Sequence, residues 1–144
     1  MLELLIVLAV FGLLATLSVY SLNSARARTR DAQRLSDVSV LRSALNQYYL
    51  ETNTFPLSGG VALGASGTNT DQLSSSGFGA RSEQPSRVYL ERVPVGPRAN
   101  EFYKYHGGAN GYSLRLQTES VTVYGVANVY YAHFAGVDKT DEEK

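Results

Sequence analysis

The sequence predicts an α+β chain. One N-terminal helix of about fifty residues, near 75–80 Å long at 1.5 Å per residue, packs on a small antiparallel sheet of three to four strands. Three observations predict it. Positions 1 to 22 are almost wholly apolar, with Glu3 as the one charge. Beyond them Ala32, Leu35, Val38, Leu41, Leu45 and Tyr48 recur at steps of three or four, and nothing between Tyr20 and Glu51 breaks a helix. The last third changes character, to short β-branched and aromatic runs separated by glycine-rich turns.

The first half of the helix, residues 1–24, is apolar on all sides over 4–14, the pattern of a helix surrounded by lipid or by other helices. A run of roughly twenty apolar residues is long enough to cross a bilayer. A carboxylate inside such a run costs roughly 2.5–3.5 kcal/mol at the bilayer centre and usually marks function, which singles out Glu3. Thr16, Ser18 and Ser21 are short enough to return their hydroxyls to the helix backbone. Gly12 is the weakest helical point, by about 1 kcal/mol relative to alanine. The stretch lacks a basic leader and an A-x-A cleavage site, and its apolar run is longer than a signal peptide requires, so an anchor is the better expectation.

The second half, residues 25–53, is amphipathic. Arg30, Arg34, Asp37 and Arg42 fall mostly off the apolar stripe. Asp31 with Arg34, and Arg34 with Asp37, stand three apart and can pair along the helix surface for a few tenths of a kcal/mol each. Arg26, Arg28 and Arg30 form a basic collar at the end of the apolar run, which by charge alone would face the cytoplasm. Asn53 reads as the C-terminal cap, and Pro56 follows where a helix cannot continue.

The remainder, residues 54–144, is expected to form a head. A long loop occupies 54–100, rich in Gly, Ser, Thr, Asn and Ala over 57–86, with a short helical turn near Thr70-Asp71-Gln72-Leu73. Residues 88–94 read as an extended segment packed beneath the loop. The sheet, 101–135, is expected as a three-strand meander of 102–106, 112–117 and 121–134, with Gly125 as a bulge in the last strand. The tail, 136–144, is charged and expected to fray.

Composition limits the chemistry. At 144 residues the chain makes one domain, and zero formal net charge gives no electrostatic case for nucleic acid. With no cysteine there is neither a disulfide framework nor a thiolate metal site. Ten tyrosines are expected to pack the sheet. His106 and His133 stand on expected strands, at the surface or half-buried, without a partner at metal-ligand spacing. No nucleophile–base order, phosphate-binding glycine loop or carboxylate pair stands out. The expectation is therefore a non-enzyme with no catalytic residue, metal or cofactor.

The string Glu3-Leu4-Leu5-Ile6-Val7-Leu8-Ala9-Val10 resembles the N-terminal signature of type IV pilins and type II secretion pseudopilins. Asp31-Ala32-Gln33-Arg34 and the helix exit from Tyr48-Tyr49 to Asn53-Thr54-Phe55-Pro56 are similar too. Tyr89-Leu90-Glu91-Arg92-Val93-Pro94, Pro97, Phe102-Tyr103-Lys104-Tyr105 and Gly111-Tyr112-Ser113-Leu114 resemble the major-pseudopilin branch. The resemblance implies the pilin fold and a helical homopolymer built around the apolar helix half. It also implies an inner-membrane pool of subunits, an assembly machine in that membrane, and a filament on the bacterial surface. It assigns Glu3 to pairing with the N-terminal amine of a neighbouring subunit. Arg26, Arg28, Arg30, Asp31 and Asp37 become candidates for contacts between subunits. In that family two more residues precede the glutamate, so a pair of residues is expected before Met1, and Met1 takes no methylated-terminus role. Many members have a proline where this chain has Tyr20, so any loosening of the helix is expected at Gly12 to Thr16. Glu119 is the only acid between Tyr112 and Val137, so the branch's calcium site is not carried over.

Overall fold

The computed structural model describes residues 2–81 and 85–140. One helix, α1 (Leu2–Thr52), runs unbroken for 51 residues. Asn53 ends it in the left-handed conformation, φ 56°. Its N–H donates to the Tyr49 carbonyl at 2.8 Å, closing the last turn as a single-bond left-handed cap. Helix and cap stand where the sequence put them.

Eight strands follow: β1 (Ser58–Ala62), β2 (Gln72–Ser74), β3 (Gly77–Gly79), β4 (Val88–Leu90), β5 (Lys104–Gly107), β6 (Tyr112–Gln117), β7 (Val129–Ala132) and β8 (Val137–Asp138). They form a five-stranded antiparallel sheet in the order β1-β5-β6-β7-β8 and a three-stranded one in the order β3-β2-β4. The architecture is α+β, as expected, with a larger sheet system than the three- to four-stranded meander. The long loop supplies the difference. Its residues 58–62 pair with β5, through a bulge between Gly59 and Val61, with Gly60 at φ 102°. The helical turn expected near Thr70 is absent, and Gln72 begins β2 instead. Thr70 turns inward, its hydroxyl accepting from the Gly64 N–H at 2.9 Å.

The last strand is also shorter than expected. Of residues 121–134 only Val129–Ala132 pair with β6. Residues 121–126 make a tight turn instead, closed by Thr122 N–H to Gly125 O at 2.8 Å and the reverse bond at 3.1 Å. Gly125, at φ 126°, serves that turn rather than a strand bulge. The tail expected to fray includes β8, which pairs Val137 with Ala132. Residues 141–144 lie outside the described residues.

The core lies between the second half of α1 and both sheets. Val38, Leu41, Ala44, Leu45 and Tyr48 of the helix face Leu73, Leu114, Leu116, Ala132 and four buried tyrosines, Tyr103, Tyr105, Tyr112 and Tyr130. Phe55 packs edge-on to Tyr112 at 4.9 Å between ring centres, and the Tyr105 hydroxyl donates to the Pro56 carbonyl at 2.8 Å. The tyrosines thus pack the sheet, each aromatic body filling core volume. Ala32, placed on the buried stripe by periodicity, is exposed. The buried face continues toward the N-terminus through Asp31 and Arg34 instead.

Candidate functional site

Residues 2–26 are all exposed. At 1.5 Å per residue this bare rod is about 37 Å long. Its most apolar 18-residue window has a mean hydropathy of 2.5, and none of that window is buried. The rod is long and apolar enough to cross a membrane. Thr16 and Ser18 return their hydroxyls to the carbonyls of Leu13 and Leu14 at 2.7 and 2.8 Å, so the run exposes few unsatisfied polar groups. Glu3 sits exposed in the first turn. Gly12 has open space around the position a Cβ would take. Helical geometry is unbroken through Gly12 and Thr16, so the subunit shows no loosening there.

Where the rod meets the head, a charge cluster takes over. Asp31 and Arg34 are each only 2% exposed. Arg34 forks onto Glu101, Nε to Oε1 at 2.6 Å and Nη2 to Oε2 at 2.8 Å, and also reaches Asp31 Oδ1 at 2.8 Å and Glu119 Oε1 at 2.6 Å. Arg30 makes a second fork onto Glu119, and Arg98 closes on the same carboxylate. Asp31 accepts the N–H of Glu119 at 3.0 Å and of Ser120 at 2.7 Å, as well as the Ser120 hydroxyl. One turn of α1 is thereby fastened to the 101 segment and to the start of the 119–128 hairpin. Buried charges persist only when paired and hydrogen-bonded, and these are.

The electrostatics follow the contacts. The hydrogen bonds and charge of Arg30 and Arg34 outweigh burial and hold the Glu119 carboxyl down at about 2. Burial pushes the Asp31 carboxyl up, but the donors from Ser120, Glu119 and Arg34 overcome it and leave it below the usual range. The Glu101 carboxylate, more than burial opposes, raises the Arg34 guanidinium further above its ordinary value. Asp37 differs: burial raises its carboxyl against the Tyr103 hydroxyl that donates to it at 2.8 Å.

The candidates of the sequence therefore divide. Arg30, Asp31 and Asp37 turn inward and bind their own head. Arg26 and Arg28 remain exposed on the rod side. The pairing of Asp31 with Arg34 is buried, not superficial. Arg34 with Asp37, also expected as a surface pair, gives way to Arg34 with the two glutamates. Nothing in the sequence pattern singles out Glu101, Arg98 or Ser120, and Glu119 stands out only as the lone acid between Tyr112 and Val137. The one signal was positional: Asp31, Arg34, Val38, Leu41, Leu45 and Tyr48 continue a single three–four spacing in which the first two members are charged.

His106 is exposed on β5. His133, expected on a strand at the surface or half-buried, is fully buried just beyond β7. Its ring nitrogens lie 3.1 Å from the Tyr112 carbonyl and 2.9 Å from that of Thr140, tying the C-terminal segment to the sheet. Among the described residues no three His, Asp or Glu side chains converge as a metal site.

Compared with protein families, with curated proteins and with solved structures, the chain finds no match. The geometry itself is pilin-like in outline: a long apolar N-terminal helix whose second half packs on an antiparallel sheet.

Proposed function

We propose that this chain is a structural subunit of an extracellular helical filament of the type IV pilus class. In this reading subunits wait in the inner membrane, held by the apolar rod. An assembly machine in that membrane then draws them into a homopolymer used for adhesion, motility or DNA uptake. The observation that carries the reading is the bare rod: residues 2–26 find no cover in their own subunit, while the second half of the helix is packed into the core of its own head. Lipid covers such a rod before assembly, and copies of itself cover it after. A head-to-tail contact repeated without closure builds a helix.

Glu3 gives the bundle its register. In a dry core of packed helices a carboxylate requires a cation, and the N-terminal amine of a neighbour is the one the resemblance supplies. A subunit out of stagger leaves a buried charge unpaired, at about 3–5 kcal/mol. A second reading, a short periplasmic pseudopilus for protein secretion, is favoured by the strings at 89–94, 102–105 and 111–114.

Electron microscopy of material sheared from cells, labelled with antibody to the head, tests the proposal. Labelled fibres are expected, with yield falling sharply in Glu3→Gln and Glu3→Ala. A surface on which the chain is abundant but never in fibres indicates a single-pass module that does not polymerise. Fibres of unchanged yield and stagger in Glu3→Gln refute the role given to Glu3.

A further inference from the structure

The 119–128 hairpin ends in an apolar tip whose three valines stand open to solvent, while the Tyr124 ring leans on Tyr130 at 6.1 Å between ring centres. Val121 is 74% exposed, Val123 86%, Val126 61% and Tyr124 39%. The tip is ordered, closed by both Thr122–Gly125 backbone bonds. We propose that it is a membrane-interface contact: before assembly it lies in the headgroup layer of the bilayer that holds the rod. The inference rests on the rod spanning a bilayer and is independent of polymerisation.

Depth argues for it. The Glu119 and Ser120 N–H groups on Asp31 set the base of the hairpin beside that residue. Strand β6 descends the helix from the level of Phe55, against Tyr112, to Asp31, so the hairpin is the head's rod-side edge. Ala27, about one turn nearer the N-terminus on the same face, is the first helix residue that is not exposed. From Leu22, the last large apolar residue of the run, to Ala27 is five residues, about 7.5 Å along the axis. A headgroup layer is roughly 5–7.5 Å thick, half the difference between a bilayer's full and hydrocarbon thickness. The lower edge of the head thus stands about one headgroup layer above the hydrocarbon.

Chemistry agrees. Tyrosine is at home at that depth, where its ring meets lipid and its hydroxyl meets water. Arg26 is exposed in the same gap and Arg28 just beyond it, both placed for anionic phosphates. Rod and tip together give two attachments, which fix the rotation of the head about the helix axis.

The chain has no tryptophan, so Tyr124→Trp is a sole reporter in the full-length protein. The variant is reconstituted sparsely into vesicles of equal parts phosphatidylcholine and phosphatidylglycerol carrying spin-labelled lipid. The expected result is blue-shifted emission, quenched more by a headgroup label than by a deep acyl-chain label. Adding Val123→Asp should abolish the quenching. Leu14→Trp, in a separate variant, should respond to the deep label. Water-like, unquenched Tyr124→Trp emission beside a quenched Leu14→Trp overturns the proposal and leaves the anchor standing. An unquenched Leu14→Trp removes the anchor and the proposal with it. A blue shift that appears only at high protein density assigns the tip to a second copy and also overturns it.

Discussion

Replacing Arg34 with methionine tests the charge cluster most severely. The change keeps most of the side-chain volume and removes a guanidinium that is 2% exposed and bonded to three carboxylates. The three losses are unequal. Glu119 keeps Arg30 and Arg98, and at 16% exposure is the least affected. Glu101, 23% exposed, loses both bonds of its fork and can only partly rehydrate. Asp31 keeps the donors from Glu119 and Ser120 but loses its only cationic partner among these contacts, at 3% side-chain exposure. Removing one member of a buried ion pair costs about 3–5 kcal/mol. Native stability is only about 5–15 kcal/mol, so this is a large fraction. For a head of this size it lowers Tm by roughly 10–20 °C. Thermal unfolding of the full chain in detergent, followed by circular dichroism of the head's tyrosines, measures it. Arg34→Lys should recover only part of the loss, because an ammonium cannot fork onto Glu101. A Tm for Arg34→Met within about 3 °C of the parent would mean that the cluster is ornamental and that the apolar core alone fastens the head.

Other outcomes follow from the same geometry. Asp31 and Glu119 are held below the usual carboxylate range, so the folded state binds fewer protons than the unfolded chain. Their stabilisation is full above the unfolded carboxylate values and is lost as pH falls through the folded ones. An acid titration of unfolding should show stability declining from roughly pH 4.5 and, for the Glu119 share, continuing to about 2. Asp37, raised by burial, acts with the opposite sign and softens the onset. Stability that stays level between these limits contradicts the assignment. Gly107→Ala should destabilise the head by about 1–3 kcal/mol, because a Cβ there would clash with the Tyr105 hydroxyl and the Pro56 carbonyl; denaturant unfolding reads the loss. Asn53→Gly should unfold at nearly the same denaturant concentration as the parent, and Asn53→Ala about 1 kcal/mol earlier, because alanine resists the left-handed cap.

The helix was legible because its signals are long and redundant: an apolar run, a three–four stripe and an asparagine–proline exit. Strand β5 was legible from the aromatic run at 102–106, and β6 from alternation over 112–117. Strands β1 to β3 were not, since three- to five-residue pieces made of Gly, Ser and Gln carry no period of two, and only pairing with a neighbour makes them strands. The run at 121–134 misled in the other direction. Its valines and tyrosine have the composition of a strand, yet Gly125 folds them into a turn left in the open. Polarity alone places Arg34 at the surface, yet it is buried. Its position on the buried face was readable, but the acids that make burial tolerable, Glu101 and Glu119, come from segments 67 and about 85 residues further along the chain.

The central claim is that copies of this chain cover one another's apolar rods. The absence of cysteine allows a direct measurement. Single cysteines placed in turn along residues 4–22 are oxidised in material sheared from cells, and cross-linking between copies is scored by position. The account predicts disulfide-linked dimers recurring with helical periodicity along the rod, weakened in a Glu3→Gln background. Rods that yield only monomers at every position, in a chain that is folded and present at the surface, would contradict it.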